Sequence, residues 1–232
     1  MKLIVTDFDL TLFRNYKELN QTIEFIEQFR EKGNKFVVAT GRSLFSLKNI
    51  LGKINLPFDY LILCNGALIL DDKYKLIKSY ELNKDILSFL TKKYEHNKVR
   101  IEYTGEDMES TNLSDMDKIF KMKIKSDDLA LIDKIKNDIQ KKYTKDVNAF
   151  LIPVEKGGLI DIVSFSTNKA TAVSFILKNE NCNMVYVIGD SENDVDMIKR
   201  FNGFAINTAK KEALSASTKV YDSVIDLIKE NL

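Results

Sequence analysis

Polar residues follow short apolar runs at four places in the chain, and their types could do chemistry. The four segments are Thr6-Asp7-Phe8-Asp9-Leu10-Thr11, Ala39-Thr40-Gly41-Arg42-Ser43, Lys169 at a helix start, and Gly189-Asp190-Ser191-Glu192-Asn193-Asp194. Carboxylates can hold a hard cation, and a hydroxyl beside the backbone amides of a helix start can bind an anion. Taken one at a time, each segment also has an ordinary structural explanation.

The first segment places two carboxylates at positions i and i+2. In an extended chain, Asp7 and Asp9 project from the same face. Two carboxylates this close repel each other unless a cation lies between them or one holds a proton. The alternative is a helix cap or a turn, because Asp is common after strands.

The last segment also has two other interpretations. Asp190, Glu192 and Asp194 alternate as they would in a calcium-binding loop, but that loop needs Gly where Val195 stands and Glu where Phe201 stands. A calcium loop of this type is therefore excluded. A turn followed by an N-cap remains open, since Gly-Asp commonly joins a strand to a helix.

Together the segments indicate one kind of chemistry. Carboxylates from two strand ends can hold Mg²⁺, while a Thr, helix-start amides and a Lys can hold a phosphate. Phosphoryl transfer needs this combination. The glycine-rich patterns G-x-x-x-x-G-K-[ST] and G-x-G-x-x-G of nucleotide-binding proteins are absent from the sequence.

Composition narrows the chemistry further. The 232 residues include one His, two Cys and no Trp, whereas a zinc site built from His and Cys needs about four such ligands. The same scarcity of Cys and His excludes a disulfide scaffold and c-type haem attachment. With 35 Lys and Arg against 34 Asp and Glu, the net charge is +1, which favours neither a nucleic acid nor a membrane as partner.

Alternating apolar runs and helical periods predict the elements that position these residues. The predicted strands are Leu3–Val5, Phe36–Val38, Tyr60–Cys64, Leu159–Val163, Met184–Ile188 and Phe204–Ile206, with helices between them. Such alternation predicts a doubly wound parallel sheet, whose ligands bind beyond the carboxyl ends of the strands.

A charge-dense stretch interrupts this pattern. Between residues 72 and 156, 34 of 85 residues are charged, against 35 of the other 147. We interpret the stretch as a smaller, more exposed insert in a well-buried core. Specificity for a ligand is expected to lie between about residues 70 and 154.

The location of the protein is also predicted from the sequence. The apolar run at the start meets a charge at Asp7 and is too short for a signal peptide, and no apolar stretch reaches membrane-spanning length. Cys64 and Cys182 are predicted to be free thiols in a reducing compartment. We therefore expect a cytoplasmic protein.

The four segments resemble the motifs of the haloacid dehalogenase superfamily. Asp7-Phe8-Asp9-Leu10-Thr11 is similar to its D-x-D-x-T motif, Thr40 to the second motif, Lys169 to the third, and Gly189 to Asp194 to the fourth, G-D-x-x-N-D. The A-T-G-R-S and G-D-S-x-N-D forms, with an insert after the third strand, resemble the Cof-like class IIB phosphatases. The resemblance implies an α/β fold with a doubly wound, Rossmann-like core (residues 1–68 and 157–232) and an inserted α+β cap (69–156).

The resemblance also implies roles for the residues. It implies that Asp7 is the nucleophile, Asp9 the general acid and base, and Lys169 a neutralising charge. Thr40, the Gly41 amide and Lys169 would bind the substrate phosphate, and Asp7, the Asp9 carbonyl and Asp190 would hold Mg²⁺. Asn193 and Asp194 would steady Lys169 and the waters on the metal. The implied activity is hydrolysis of a small phosphorylated metabolite through an aspartyl-phosphate.

One residue departs from the family pattern, and two other activities stay open. Leu10 stands where the family usually has Gly, and because Leu avoids a positive φ we expect the first loop to differ. A phosphomutase would use the same aspartyl-phosphate. A phosphate-sensing regulator with decayed catalysis is the other alternative, although a complete motif set argues against decay.

Overall fold

The computed structural model describes residues 1–96 and 98–232, which form two β-sheets and eight α-helices within those ranges. The strands are β1 (Lys2–Asp7), β2 (Lys35–Ala39), β3 (Tyr60–Leu63), β4 (Leu68–Asp71), β5 (Leu76–Ser79), β6 (Arg100–Thr104), β7 (Glu109–Ser110), β8 (Lys121–Ser126), β9 (Val147–Pro153), β10 (Gly158–Ser164), β11 (Met184–Gly189), β12 (Phe204–Ile206) and β13 (Lys219–Tyr221). The helices are α1 (Tyr16–Glu31), α2 (Leu44–Leu51), α3 (Lys84–Tyr94), α4 (Leu129–Lys142), α5 (Lys169–Asn179), α6 (Val195–Arg200), α7 (Lys211–Ala216) and α8 (Val224–Asn231). Within the described ranges, none of these helices has the length and apolar character needed to span a bilayer.

The larger sheet has eight strands in the order β13-β12-β11-β1-β2-β3-β4-β5. The strands from β13 to β3 run parallel, and β4 and β5 add two antiparallel strands at one edge. Successive residues of β1 pack on opposite faces: Ile4 joins a core with Ile26 of α1, while Val5 joins one with Val173 of α5. The predicted doubly wound α/β sheet is confirmed.

The smaller sheet has five antiparallel strands in the order β7-β6-β8-β10-β9. Met122 and Ile124 of β8 pack against buried residues of α3 and α4, which cover one face. Lys121 and Lys123 alternate with them and therefore belong to the opposite face. We call this second face the polar face; it also carries Glu109 and Asp161, beside the apolar Ile152 and Leu159.

Strand β10 lies in a different sheet from the one the sequence predicts. Its apolar run Leu159–Val163 was expected to resume the parallel core, but it pairs with β8 and β9 in the five-stranded sheet. An apolar run indicates burial and does not specify which sheet the strand joins. Sheet membership changes after Ser79 and again after Ser164, so the predicted boundaries at 69 and 157 do not coincide with these changes.

Candidate active site

The parallel strands bring three of the four polar segments together at the carboxyl ends of the strands in the larger sheet. Asp7 is the last residue of β1 and pairs with Ala39, which directly precedes Thr40. On the other side of β1, Thr6 pairs with Ile188, and Asp190 follows at the end of β11. The strand register alone therefore places Asp7, Thr40 and Asp190 side by side.

Helix α5 brings the fourth segment, Lys169, to the same carboxyl ends of the strands. Asn168 caps this helix: its side chain accepts from the N–H of Thr171, and the Thr171 hydroxyl accepts from the Asn168 N–H. The helix therefore begins at Lys169, whose ammonium donates to Asp7 Oδ1 at 2.6 Å and Asp194 Oδ1 at 2.7 Å. Burial by itself would lower the pKa of Lys169, but Asp194 and Asp7 raise it, so the ammonium stays protonated.

Three buried carboxylates meet around this lysine. Asp7, Asp190 and Asp194 each offer an oxygen within 4.8 Å of the others. Burial raises the pKa of Asp7 well above its ordinary value, and Asp194 and Asp190 raise it further against the opposing effect of Lys169. Burial and then Asp194 raise the pKa of Asp190 to about 6. The cluster holds more negative charge than one ammonium neutralises.

The free oxygens of this cluster fit a hard cation. No described residue donates to Asp7 Oδ2, although this oxygen is buried. The two oxygens of Asp194 are already used, one by Lys169 and the other by the backbone N–H groups of Asp190 and Ser191. Asp7 and Asp190 are therefore the side chains best placed to ligate Mg²⁺, which prefers oxygen ligands and keeps several waters.

Asp9 lies apart from this cluster. Strand β1 ends at Asp7, and the Asp9 carboxylate is half-exposed and forms a forked ion pair with Arg42, with Nε at 2.8 Å from Oδ2 and Nη2 at 2.7 Å from Oδ1. The expected shared face of Asp7 and Asp9 is therefore not formed as one carboxylate pair. Arg42 thus forms an ion pair with the predicted general acid.

The loop that contains Asp9 differs from the sequence expectation. Leu10 adopts a left-handed φ of 61°, the conformation we expected Leu to avoid. Two backbone hydrogen bonds hold the turn: Leu10 N–H donates to Phe13 O at 3.0 Å and Phe13 N–H to Phe8 O at 2.7 Å. The turn thus keeps a shape that suits Gly, and Leu10 bears the strain.

Thr40 and Gly41 form a tight loop after β2. Thr40 is buried, and its Oγ1 accepts from the N–H of Arg42 at 3.1 Å. A Cβ at Gly41 would lie 3.1 to 3.3 Å from side-chain atoms of Asn65 and Asp161. Glycine therefore lets these two side chains approach the loop closely.

The fourth motif is tied to a residue that the sequence analysis missed. Asn193 donates to Asn65 Oδ1 at 2.8 Å, and Asn65 in turn donates to Asp161 Oδ2 at 3.1 Å. Asp194 contacts Lys169 as predicted, whereas Asn193 supports Asn65 instead. Asn65 is buried with a left-handed φ of 54°, a conformation that Asn tolerates better than most residues.

Two sequence signals could have found the missed residues. Asn65 lies two residues after the end of β3, and Asp7 is the last residue of β1, so both are polar residues at the carboxyl ends of parallel strands in the same sheet. Asp161 is a single charge in the apolar strand β10, and it is nearly fully buried. A buried charge needs a partner, and for Asp161 the nearest cation is Lys121.

These residues surround a cavity of about 320 Å³ between the two sheets. The larger sheet and its loops contribute Asp7, Asp9, Thr40, Gly41, Arg42, Asp190 and Asn193, and the polar face of the smaller sheet contributes Glu109, Lys121, Lys123 and Asp161. Every predicted site residue either lines this cavity or contacts a residue that does. The roles assigned to them remain predictions.

Comparison with known proteins gives the family. The family model of the haloacid dehalogenase-like hydrolases matches residues 4–116 and 105–226. The chain belongs to this family. The predicted superfamily, fold and enzyme class of hydrolase are thereby confirmed.

Individual relatives agree with this assignment. An uncharacterized protein of Mycoplasma capricolum subsp. capricolum is 38% identical over 100 residues, which are 38% of this chain and 37% of that protein. The matches to curated relatives thus span only a little over a third of their length. A haloacid dehalogenase-like hydrolase from B. subtilis has a TM-score of 0.82 at 19% identity, with 100% of both chains covered. A HAD subclass IIB sugar phosphatase has a TM-score of 0.77 at 18% identity, covering 100% of this chain and 99% of that one; both structures share the fold.

Proposed function

We propose that this protein is a Mg²⁺-dependent phosphatase that hydrolyses a small phosphorylated metabolite through an aspartyl-phosphate on Asp7. The observation that carries the proposal is the state of the Asp7 carboxylate. One oxygen is held by Lys169, and the other is buried beside Asp190 with no donor among the described residues. A fixed carboxylate that lines the same cavity as Thr40 and Gly41 is suited to nucleophilic attack on a phosphate bound there.

The first half of the reaction transfers the phosphoryl group to Asp7. A carboxylate oxygen of Asp7 attacks phosphorus in line as the bond from phosphorus to the leaving oxygen breaks. Asp9, in its acid form, gives its proton to that leaving oxygen. The Asp9 carboxylate forms an ion pair with Arg42 at the mouth of the cavity, so Asp9 takes up the proton for this step only on leaving that pair.

The second half returns Asp7 to its carboxylate. Asp9, now the base, takes a proton from a water that attacks the phosphorus of the aspartyl-phosphate, and the bond to Asp7 breaks. Lys169 balances the charge that returns to Asp7. The products are inorganic phosphate and the alcohol released in the first half.

The loop after β2 and Lys169 bind the phosphoryl group. The Thr40 hydroxyl and the Gly41 amide donate to the phosphoryl oxygens. The carboxylates of Asp7 and Asp190 and the Asp9 carbonyl would hold Mg²⁺, which when bound would offset the negative charge of the substrate phosphate. Without it, three carboxylates would repel the incoming anion.

The substrate class follows from the cavity and from a relative. A volume of about 320 Å³ lined by charges of both signs suits a small polar leaving group. The structural relative named as a sugar phosphatase supports a sugar phosphate or a similar phosphomonoester. We place the enzyme in the cytoplasm and expect neither nucleic acid nor membrane as partner.

Hydrolysis of p-nitrophenyl phosphate tests the proposal. We expect turnover with Mg²⁺, loss of turnover in excess EDTA, and a fall of at least about 10³-fold for Asp7→Asn. Asp72→Asn, an exposed carboxylate outside the cavity, should keep the parent rate. Acid quench during turnover should trap phosphate on Asp7, detected by mass spectrometry. Equal rates for the parent and Asp7→Asn would rule out Asp7 as the nucleophile.

A further inference from the structure

Lys121 joins the smaller sheet to the phosphate loop. It is the first residue of β8 and nearly fully buried, and its ammonium donates to the carbonyl oxygen of Gly41 at 2.7 Å. The same ammonium lies 3.5 Å from Asp161 Oδ1. A buried ion pair on one sheet therefore touches the backbone of a loop on the other.

The bond to Gly41 fixes one peptide unit. The carbonyl of the peptide between Gly41 and Arg42 accepts from Lys121, and the N–H of the same peptide donates to Thr40 Oγ1 at 3.1 Å. Both ends of the peptide are thus held, one by the smaller sheet and the other by Thr40.

This arrangement leaves the Thr40 hydroxyl with one direction to donate. A hydroxyl has one hydrogen and two acceptor positions, and Oγ1 already accepts from the Arg42 N–H. Its own hydrogen is therefore the group left for a ligand in the cavity that Thr40 lines. The ammonium, the peptide and the hydroxyl form a chain in which every donor points the same way, and such chains strengthen each bond.

We propose that Lys121 is a positioning residue for the phosphate-binding hydroxyl of Thr40. It acts through the Gly41–Arg42 peptide and does not itself contact the phosphate. The inference rests on the proposed function, in which Thr40 binds the phosphoryl group. Because Lys121 belongs to the smaller sheet, its bond to Gly41 links the phosphate loop to that sheet.

The charge of Lys121 is maintained in its buried position. Burial would lower its pKa, but Asp161 and other nearby acidic groups raise it, so the ammonium stays protonated. Asp161 in turn is held by Asn65. Removing Lys121 alone would leave the Asp161 carboxylate buried and unpaired, which would destabilise the fold.

The test therefore removes the charges of the pair together. The variant Lys121→Met/Asp161→Asn is compared with Asp161→Asn alone, and the Kd of inorganic phosphate is measured by calorimetry in the presence of Mg²⁺. We expect the Kd to rise about tenfold on loss of the Lys121 ammonium. Lys125→Met, an exposed lysine of the same strand, should leave the Kd unchanged.

A merely structural role is distinguished by repeating the comparison in a Thr40→Val background. If Lys121 acts through Thr40, removing it there should change the Kd by less than about twofold. An equal rise in both backgrounds, or none in either, would overturn the inference. Thermal unfolding of each variant checks the fold. If Lys121→Met/Asp161→Asn fails to fold, Lys121→Gln/Asp161→Asn replaces it. Because Gln retains a shorter donor, the Kd of this variant should lie between that of Asp161→Asn and the tenfold higher value expected on loss of the ammonium.

The same data separate this inference from the proposed function. If Thr40→Val weakens phosphate binding but the Lys121 variants do not, only the inference on Lys121 fails. If Thr40→Val has no effect, the proposed phosphate site is wrong. A parent protein that does not bind phosphate would contradict both.

Discussion

Lys169 shows at the scale of single residues how the site balances its charge. Its ammonium is fully buried between Asp7 and Asp194, and Asp190 adds a third carboxylate to the same cluster. The raised pKa values of Asp7 and Asp190 follow from this excess of negative charge and from burial. Either a proton or a divalent cation relieves the excess, and only the cation leaves Asp7 free to act as a nucleophile.

Leu10 gives the first prediction at this scale. A non-glycine residue in the left-handed region costs roughly 1–2 kcal/mol, and the Leu10 side chain is mostly exposed, so little burial is lost when it is removed. We expect Leu10→Gly to raise the free energy of unfolding by up to about 1 kcal/mol, the strain relief less the added freedom of the unfolded chain. Urea unfolding of the metal-free protein measures the change.

Alanine at the same position is the matched control. Leu10→Ala removes the same exposed side chain but keeps the Cβ that causes the strain, so its unfolding midpoint should stay close to that of the parent. A gain for Ala equal to that for Gly would show that the exposed side chain, and not the backbone, destabilises the loop.

At the scale of elements, strand ends could be predicted from the sequence and sheet membership could not. Asp7, Thr40 and Asp190 each follow an apolar run that forms a parallel strand. Their proximity at the carboxyl ends of these strands therefore follows from the fold class. Strand β10 has the same kind of apolar run but pairs with β8 and β9. Pairing partners depend on contacts far apart in sequence, which a local pattern does not contain.

The same distinction explains the site residues. Residues that lie in motifs on the larger sheet were predicted, whereas Lys121 and Asp161 reach the cavity only because β8 and β10 are neighbours. The position of Asn65 depends on a turn after β3 in which Cys64, Asn65 and Gly66 all have a positive φ. Gly66 is the main sequence signal for this turn. Partners across two sheets become visible only in the folded chain.

The turn after β3 gives the prediction for this scale. Gly66 has a φ of 105°, and a Cβ there would lie 2.5 Å from the carbonyl oxygen of Asn168, directly before Lys169. Gly66→Ala must therefore move the start of α5 or the turn itself. We expect it to lower the free energy of unfolding by at least about 3 kcal/mol and to reduce phosphatase activity by displacing Lys169.

Gly33, just after α1, offers the matched comparison, because it also has a positive φ, of 77°, but has open space where a Cβ would be placed. Gly33→Ala should cost only about 1 kcal/mol, the conformational strain alone, and leave activity unchanged. Equal losses for the two variants, measured by urea unfolding, would show that the approach of Asn168 to Gly66 has no energetic consequence.

At the scale of the whole molecule, the cavity depends on contacts between the two sheets and their helices. Ser43 before α2 donates to Glu109 of β7 at 2.7 Å, and Lys136 of α4 forms an ion pair with Glu192 of the fourth motif at 2.7 Å. With the bond from Lys121 to Gly41, these contacts tie the smaller sheet to two of the site's loops. Binding in the cavity should therefore stabilise both sheets together.

Because these contacts connect the two sheets, Mg²⁺ bound in the cavity should stabilise the whole fold, and the size of this stabilisation should depend on pH. Burial and Asp194 raise the pKa of Asp190 from 3.8 to about 6, so in the metal-free protein its ionisation disfavours folding as pH rises through this interval. A bound cation removes that penalty, and at a concentration about 100 times its Kd it adds about 2.7 kcal/mol. For a chain of this size, the melting temperature should then rise by roughly 5–10 °C at a pH of about 7.5.

At a pH of about 5 the rise should be smaller, because protons compete with the cation for the raised carboxyls. Differential scanning calorimetry with and without Mg²⁺ at the two pH values measures both effects. Asp190→Asn should abolish the rise at either pH and by itself stabilise the metal-free protein at the higher pH, whereas Asp72→Asn should behave like the parent. A rise of the same size at both pH values, or one that survives Asp190→Asn, would place the cation outside the cluster of Asp7, Asp190 and Asp194.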